Sequence, residues 1–237
     1  RMLEEYGLDS LDELADEIIS RSEKSIRASI AKAPPGTYRA QGLIEQRAGQ
    51  PDLVIRCTVT IEGSNITVDL TGSSPQVNWG GNVVYNFTYA YVHMAVKSIF
   101  DPEIPNNDGI AAPIRLIAPE GTVVNCRHPA AVAARMQIGH FLTEIIYRAL
   151  AEALPQRVVA SGGGTPATMQ MFYGRRGDGR AFHAVLIRGG GLGATAGRDG
   201  EGSFIFPANG ANTPVEILES DSPLVVERRE LLPDSGG

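Results

Sequence analysis

His140 and Glu144 lie one helical turn apart, and His128 precedes the same run, so the three have the residue types and nearly the spacing of a shared metal site. The simpler reading makes His140 a core histidine bonded to backbone, with Glu144 paired to Arg148 four residues on in the favourable order; it is preferred here. Cys126 and His128 are two residues apart and point to opposite sides of an extended chain, which makes a poor thiolate–imidazole pair. His183 has no ligand type close in sequence. Asp234-Ser235-Gly236-Gly237 looks like a serine-nucleophile turn, yet that chemistry needs a histidine base and a buried aspartate. Ordinary turn chemistry explains the tetrapeptide.

Phosphate binding has one apparent signature. Gly189 to Ala196 follows an expected strand and reads G-x-G-x-x-A from Gly191, but what comes next is Gly197-Arg198-Asp199-Gly200, with no helix to receive a pyrophosphate. A Walker A loop is absent, because Gly-Lys-Ser/Thr occurs nowhere and the lysines are Lys24, Lys32 and Lys97. More promising are three loops that combine backbone-bending residues with polar side chains: 69–75, Gly80-Gly81-Asn82, and 105–109. Within them Asp69, Thr71 and Asn82 are the candidates for polar substrate or inter-loop contacts, and Asn107 the candidate for loop order.

Those loops need elements to position them. Apolar residues from Leu11 through Leu14, Ile18, Ser22 and Ile26 to Ile30 keep helical spacing, predicting a helix over about 10–32. Asp9 or Ser10 is its expected N-cap, with Glu13 completing a capping box. Period-two alternation then predicts strands at 38–43, 53–62 and 66–70, the last two forming a hairpin with one face near solvent. A buried aromatic helix is expected over 83–100, a short strand over 114–117, and a long core helix from Pro129 to Leu154. Further strands are expected at 167–173, 180–188, 215–219 and 224–230. This order predicts an α+β fold with mainly antiparallel sheets packed against long buried helices.

The 237 residues are 43% apolar and 20% charged, enough to bury a substantial core. Their 21 basic and 27 acidic residues leave a net charge of -6, the wrong sign for a nucleic-acid or anionic-membrane surface. No run approaches the ~18 apolar residues of a membrane span. Two cysteines supply neither a disulfide framework nor a zinc ribbon, so the cytoplasm is the expected compartment. Both ends read as interrupted elements, so the chain is expected to be a piece of a longer polypeptide, 1–237 forming one part with no clean internal linker.

Four stretches in order carry a resemblance: Asp69 to Val77 with Asn82; Ile104 to Gly109; Pro119 to Asn125 with Pro129 to Val132; and Pro207 to Glu219 with Asp234 to Gly237. The chain resembles the hydantoinase B/oxoprolinase family, which includes B-type subunits of ATP-dependent hydantoinases, the C-terminal half of 5-oxoprolinase, and large subunits of acetone and acetophenone carboxylases. It departs from the family pattern at Asn78-Trp79-Gly80-Gly81. The resemblance implies the second half of a B-type subunit in an ATP-dependent cyclic-amide hydrolase, inactive when isolated. It further implies a hetero-oligomer in which an A-type partner binds ATP, with a divalent metal held in the other half of the B-type subunit. A ketone-carboxylase subunit and a non-catalytic scaffold half are the alternatives.

Overall fold

The period-two pattern of 53–62 sets the frame, because one side of that strand is closed off from water while the other stays part-exposed or polar. The computed structural model describes residues 2–46, 49–162, 169–187, 189–202, 204–207 and 213–230. In chain order the first unit, residues 1–157, contains α1 (Met2–Tyr6), α2 (Asp12–Ile30), β1 (Gly36–Ile44), β2 (Leu53–Glu62), β3 (Asn65–Asp69), α3 (Tyr85–Phe100), α4 (Asp108–Ala111), β4 (Ile114–Ile117) and α5 (Arg135–Leu150). The second, residues 158–237, contains β5 (Met169–Arg175), β6 (Ala181–Ile187) and α6 (Val215–Asp221). The division falls just beyond the turn at Pro155.

In the first unit the strands form one sheet in the order β1-β2-β3-β4. β1 and β2 run antiparallel from Gly36↔Ile61 to Ile44↔Leu53. The hairpin β2-β3 closes through Gly63, whose φ of 59° suits a residue without Cβ. β4 joins β3 in parallel, Ile66↔Ile114 to Asp69↔Ile117, and α3 and α4 lie in the crossover between them. That parallel pair is the exception within an otherwise antiparallel arrangement. In the second unit β5 and β6 pair antiparallel, Met169↔Ile187 to Arg175↔Ala181.

The core helix is α5, which buries Ile138, Leu142, Ile145, Ile146 and Leu150 and packs on β1, β2 and α3. Its approach to β1 is so close that a Cβ on Gly42 would lie 2.2 Å from Phe141 Cε1. Burial of these side chains, at about 1.5–3 kcal/mol each before chain entropy, is the main force holding the helix to the sheet.

Several expectations are corrected. α5 runs from Arg135 to Leu150, not from Pro129 to Leu154; ahead of it Cys126 N–H donates to Val83 O, Ala134 N–H donates to Gly80 O, and Ala131 O accepts from Asn82. Ser10 does not cap α2: its Oγ accepts the Asp12 N–H at 2.9 Å, and Leu11 holds the cap position without a side-chain bond. Only the C-terminal half of the α2 stripe, Ser22, Ile26 and Ile30, is buried, whereas Leu11, Leu14 and Ile18 are exposed. The aromatic helix α3 likewise buries Val92, Val96 and Ile99 but leaves Tyr85 and Tyr89 at the surface. Residues 215–221 form a helix following Pro214, not a strand, and 224–230 contain neither helix nor strand. Alternation over five residues cannot separate the two, and here Leu218 is the buried contact. The expected strand at 167–173 begins at Met169 among the described residues; residues 167 and 168 lie outside them.

Candidate functional site: two interlocked loops at the sheet's end

β3 stops at Asp69, leaving the backbone of β2 before Thr58 without a strand on that side. Serines take over. Ser73 Oγ accepts the Arg56 N–H at 3.1 Å and donates to Leu70 O at 2.8 Å. Ser74 Oγ accepts the Val54 N–H at 2.8 Å, while the Ser74 N–H donates to Val54 O at 2.8 Å. The loop after β3 thus stays stapled to the sheet where β-pairing ends.

From there it laces to the loop after β4. The Gln76 N–H donates to Gly121 O at 2.9 Å, Val123 N–H to Ser74 O at 3.0 Å, and Val83 N–H to Val123 O at 3.0 Å. Cys126 N–H donates to Val83 O at 2.9 Å, and Arg127 N–H to Gln76 Oε1 at 2.8 Å. Asn82 completes the lock: its Oδ1 accepts the Val77 N–H at 2.8 Å, and its Nδ2 donates to the carbonyls of Val77, Trp79 and Ala131, each at 2.9 Å. Trp79 Nε1 reaches Gln46 Oε1 at 2.9 Å, tying the loop to the segment after β1.

The structure therefore puts Asp69 at the last position of β3, Thr71 and Asn82 in the loop that follows it, and Asn107 elsewhere. Asp69 Oδ1 accepts the Thr71 N–H at 2.8 Å, a local turn, and Thr71 is exposed. Asn82 is fully buried and its amide is engaged with backbone, which suits an organiser of the loops more than a substrate contact. Asn107 caps α4, accepting the Gly109 N–H at 2.9 Å, and its Nδ2 donates to Ser22 Oγ at 2.8 Å on α2. Here α4 rests so tightly on α2 that a Cβ on Gly109 would stand 2.1 Å from Ile19 O. Sequence reasoning missed Ser22, Ser73 and Ser74. For Ser22 a signal existed, a lone hydroxyl within an apolar stripe.

The remaining reactive groups are quiet. Burial pushes the Cys57 thiol up to about 12, with the charge of Asp69 adding to it, and burial also raises Cys126. Both stay as neutral thiols, poor nucleophiles at neutral pH. Glu144 pairs with Arg148 at 2.8 Å, and no group of three His, Cys, Asp or Glu able to hold a metal occurs among the described residues. The residues described do not fit a divalent metal. Nor do they fit a nucleotide at Gly189 to Ala196, where bridges Leu192↔Glu201 and Thr195↔Arg198 stand in place of the helix that a phosphate would need. No helix is long and apolar enough to cross a membrane among the described residues. Asp234 to Gly237, and residues 208–212 of another matching stretch, lie outside the described residues.

Comparison with known proteins adds relatives to this geometry. A protein of Pseudomonas sp. (strain NS671) named as the B-type component of a D-/L-hydantoinase is 32% identical over 243 residues, covering 97% of this chain and 40% of its own length. The β chain of the caprolactamase of Pseudomonas jessenii is 26% identical, over 100% of this chain and 42% of its own. The crystal structure of the ATP-dependent caprolactamase from that organism superposes with a TM-score of 0.79 at 21% identity, over 99% of this chain and 42% of that one, so the fold is shared. The chain thus spans about two fifths of the length of these relatives. A family model for hydantoinase B/oxoprolinase matches residues 1–237 from end to end, and the chain belongs to that family.

Proposed function

We propose that this chain is part of the B-type subunit of a cytoplasmic, ATP-dependent cyclic-amide hydrolase that opens a hydantoin, 5-oxoproline or lactam ring together with an ATP-binding A-type subunit. The observation that carries the reading is the match along all 237 residues to a family whose similar members are named hydantoinase, caprolactamase and 5-oxoprolinase. The chemistry is coherent. An amide carbonyl is a poor electrophile, and transferring a phosphoryl group to its oxygen creates a leaving group that a polar, water-controlled site can process.

Within such an enzyme the laced loops around Asn82 would shape one wall of the site. Support comes from the bonding itself: Asn82 and Asn107 spend their amides on the protein's own groups. The scaffold reading of this segment is therefore favoured over direct catalysis by these two residues. Metal and nucleotide chemistry belong, on this reading, to the remainder of the subunit and its partner.

Co-expression of the full-length subunit with its A-type partner tests the proposal, with ATP turnover measured against hydantoins, 5-oxoproline, lactams, and ketones plus bicarbonate. Turnover with a cyclic amide supports it. Turnover with a ketone and bicarbonate alone would replace it with a carboxylase.

A further inference from the structure

Between residues 2 and 20 the chain has seven carboxylates, Glu4, Glu5, Asp9, Asp12, Glu13, Asp16 and Glu17, and no lysine or arginine; the first basic residue beyond them, Arg21, pairs with Glu17 at 2.6 Å and leaves the excess of negative charge to the residues before it. The same stretch exposes Tyr6, Leu8, Leu11, Leu14 and Ile18, each between 40 and 68% accessible. Leu11, Leu14 and Ile18 continue, at helical spacing, the stripe that Ser22, Ile26 and Ile30 bury. One helix face therefore begins in solvent and ends in the core. An apolar stripe rimmed by one sign of charge is the complement of an apolar element rimmed by the other.

We propose that the N-terminal half of α2 is a docking surface for a lysine- and arginine-flanked apolar segment supplied by the remainder of the same full-length subunit. The inference rests on reading the chain as part of a B-type subunit, and it names what covers this face. A second copy of the chain would bring carboxylates against carboxylates, and an anionic lipid surface would be repelled in the same way. The same polypeptide is a better source than a separate protein, since this chain fills only 40 and 42% of two of its relatives. A tethered segment meets the stripe at an effective concentration on the order of millimolar, which a separate protein rarely reaches.

The test uses the full-length subunit purified without its partner. Leu14→Cys and Ile18→Cys are compared with Asp16→Cys, which lies on the opposite side of the helix, and alkylation by iodoacetamide is read at the peptide carrying the new cysteine. The two stripe positions are expected to react at least about tenfold more slowly than position 16, since labelling there requires local opening. Raising the salt to about 1 M should narrow that gap by screening the rim. Equal rates in the lone subunit overturn the proposal, including the case in which adding the partner then slows them, because the face would belong to the partner. A gap unchanged by salt overturns the basic rim. Failure of the hydrolase assignment would leave these labelling rates untouched, so the two ideas fail separately.

Discussion

The Asn82 side-chain amide donates to the carbonyl of Ala131 at 2.9 Å, joining residues 49 apart in sequence at a position with no solvent exposure. This contact locks the loop after β3 to the segment that leads into α5. Replacing Asn82 by alanine strands the Val77 N–H and three carbonyls away from their partner. A loss of about 2–4 kcal/mol is expected, read as a lower urea midpoint, since unsatisfied buried groups are costly. Asn82→Asp should be no rescue, because a carboxylate accepts from Val77 but cannot donate to the three carbonyls. Wild-type stability in either variant would mean that the loops are held some other way.

The cap of α4 makes a second test. Asn107→Ala removes the acceptor for Gly109 N–H and the donor to Ser22, so about 1–2 kcal/mol should be lost. Ser22→Ala should cost less, and the double variant less than the sum of the two, because one bond is shared. Strict additivity in chemical denaturation would show that the Asn107–Ser22 bond contributes nothing.

Gly42 faces Phe141 and Ile145 of α5, and a Cβ added to it would stand 3.0 Å from the Ile145 side chain. Gly42→Ala should destabilise by about 1–3 kcal/mol through overpacking. Trimming the ring with Phe141→Leu in the same chain should return part of that loss. Thermal melts of the single and double variants decide it: identical costs of Gly42→Ala with and without the ring would exclude the clash.

His93 gives a pH dependence whose sign is fixed by burial. Its ring stacks on Tyr89 with centroids 3.7 Å apart, and desolvation holds its pKa below the ordinary 6.5, opposed by the bond from Nδ1 to Tyr89 O. Well above 6.5 the ring is neutral in both folded and unfolded chains and contributes no slope. As pH falls through that value the unfolded chain takes up the proton more readily, so stability drops until the lower folded pKa is passed. His93→Phe keeps the stacking and removes this component. Urea midpoints at about pH 7.5 and 5.5 should lie closer together in the variant than in the parent; an unchanged difference would clear His93 of any part in it.

Particular residues show how far the chain could be read in advance. Leu53, Ile55, Cys57, Val59 and Ile61 announce both a strand and its buried side, and the observed β2 buries that set. Ile138 through Leu150 announce a core helix in the same way. The start of that helix was not legible: Ala134 N–H donates to Gly80 O and Ala131 O receives Asn82, bonds that no local pattern encodes. Nor was the role of Asn82, since a glycine-flanked asparagine looks alike whether it waits for a ligand or holds three backbone carbonyls.

By itself, then, the sequence determined the family, the alternation that makes the sheet, and which faces of β2 and α5 shun water, because periodicity is a local property of the chain. Tertiary structure alone decided that β4 adds in parallel, that 215–221 coils into a helix, that the first half of the α2 stripe is left outside this chain's own core, and that Asn82 and Asn107 turn inward. Each of these depends on which distant backbone group or apolar surface is within reach, and reach is settled only when the chain has folded.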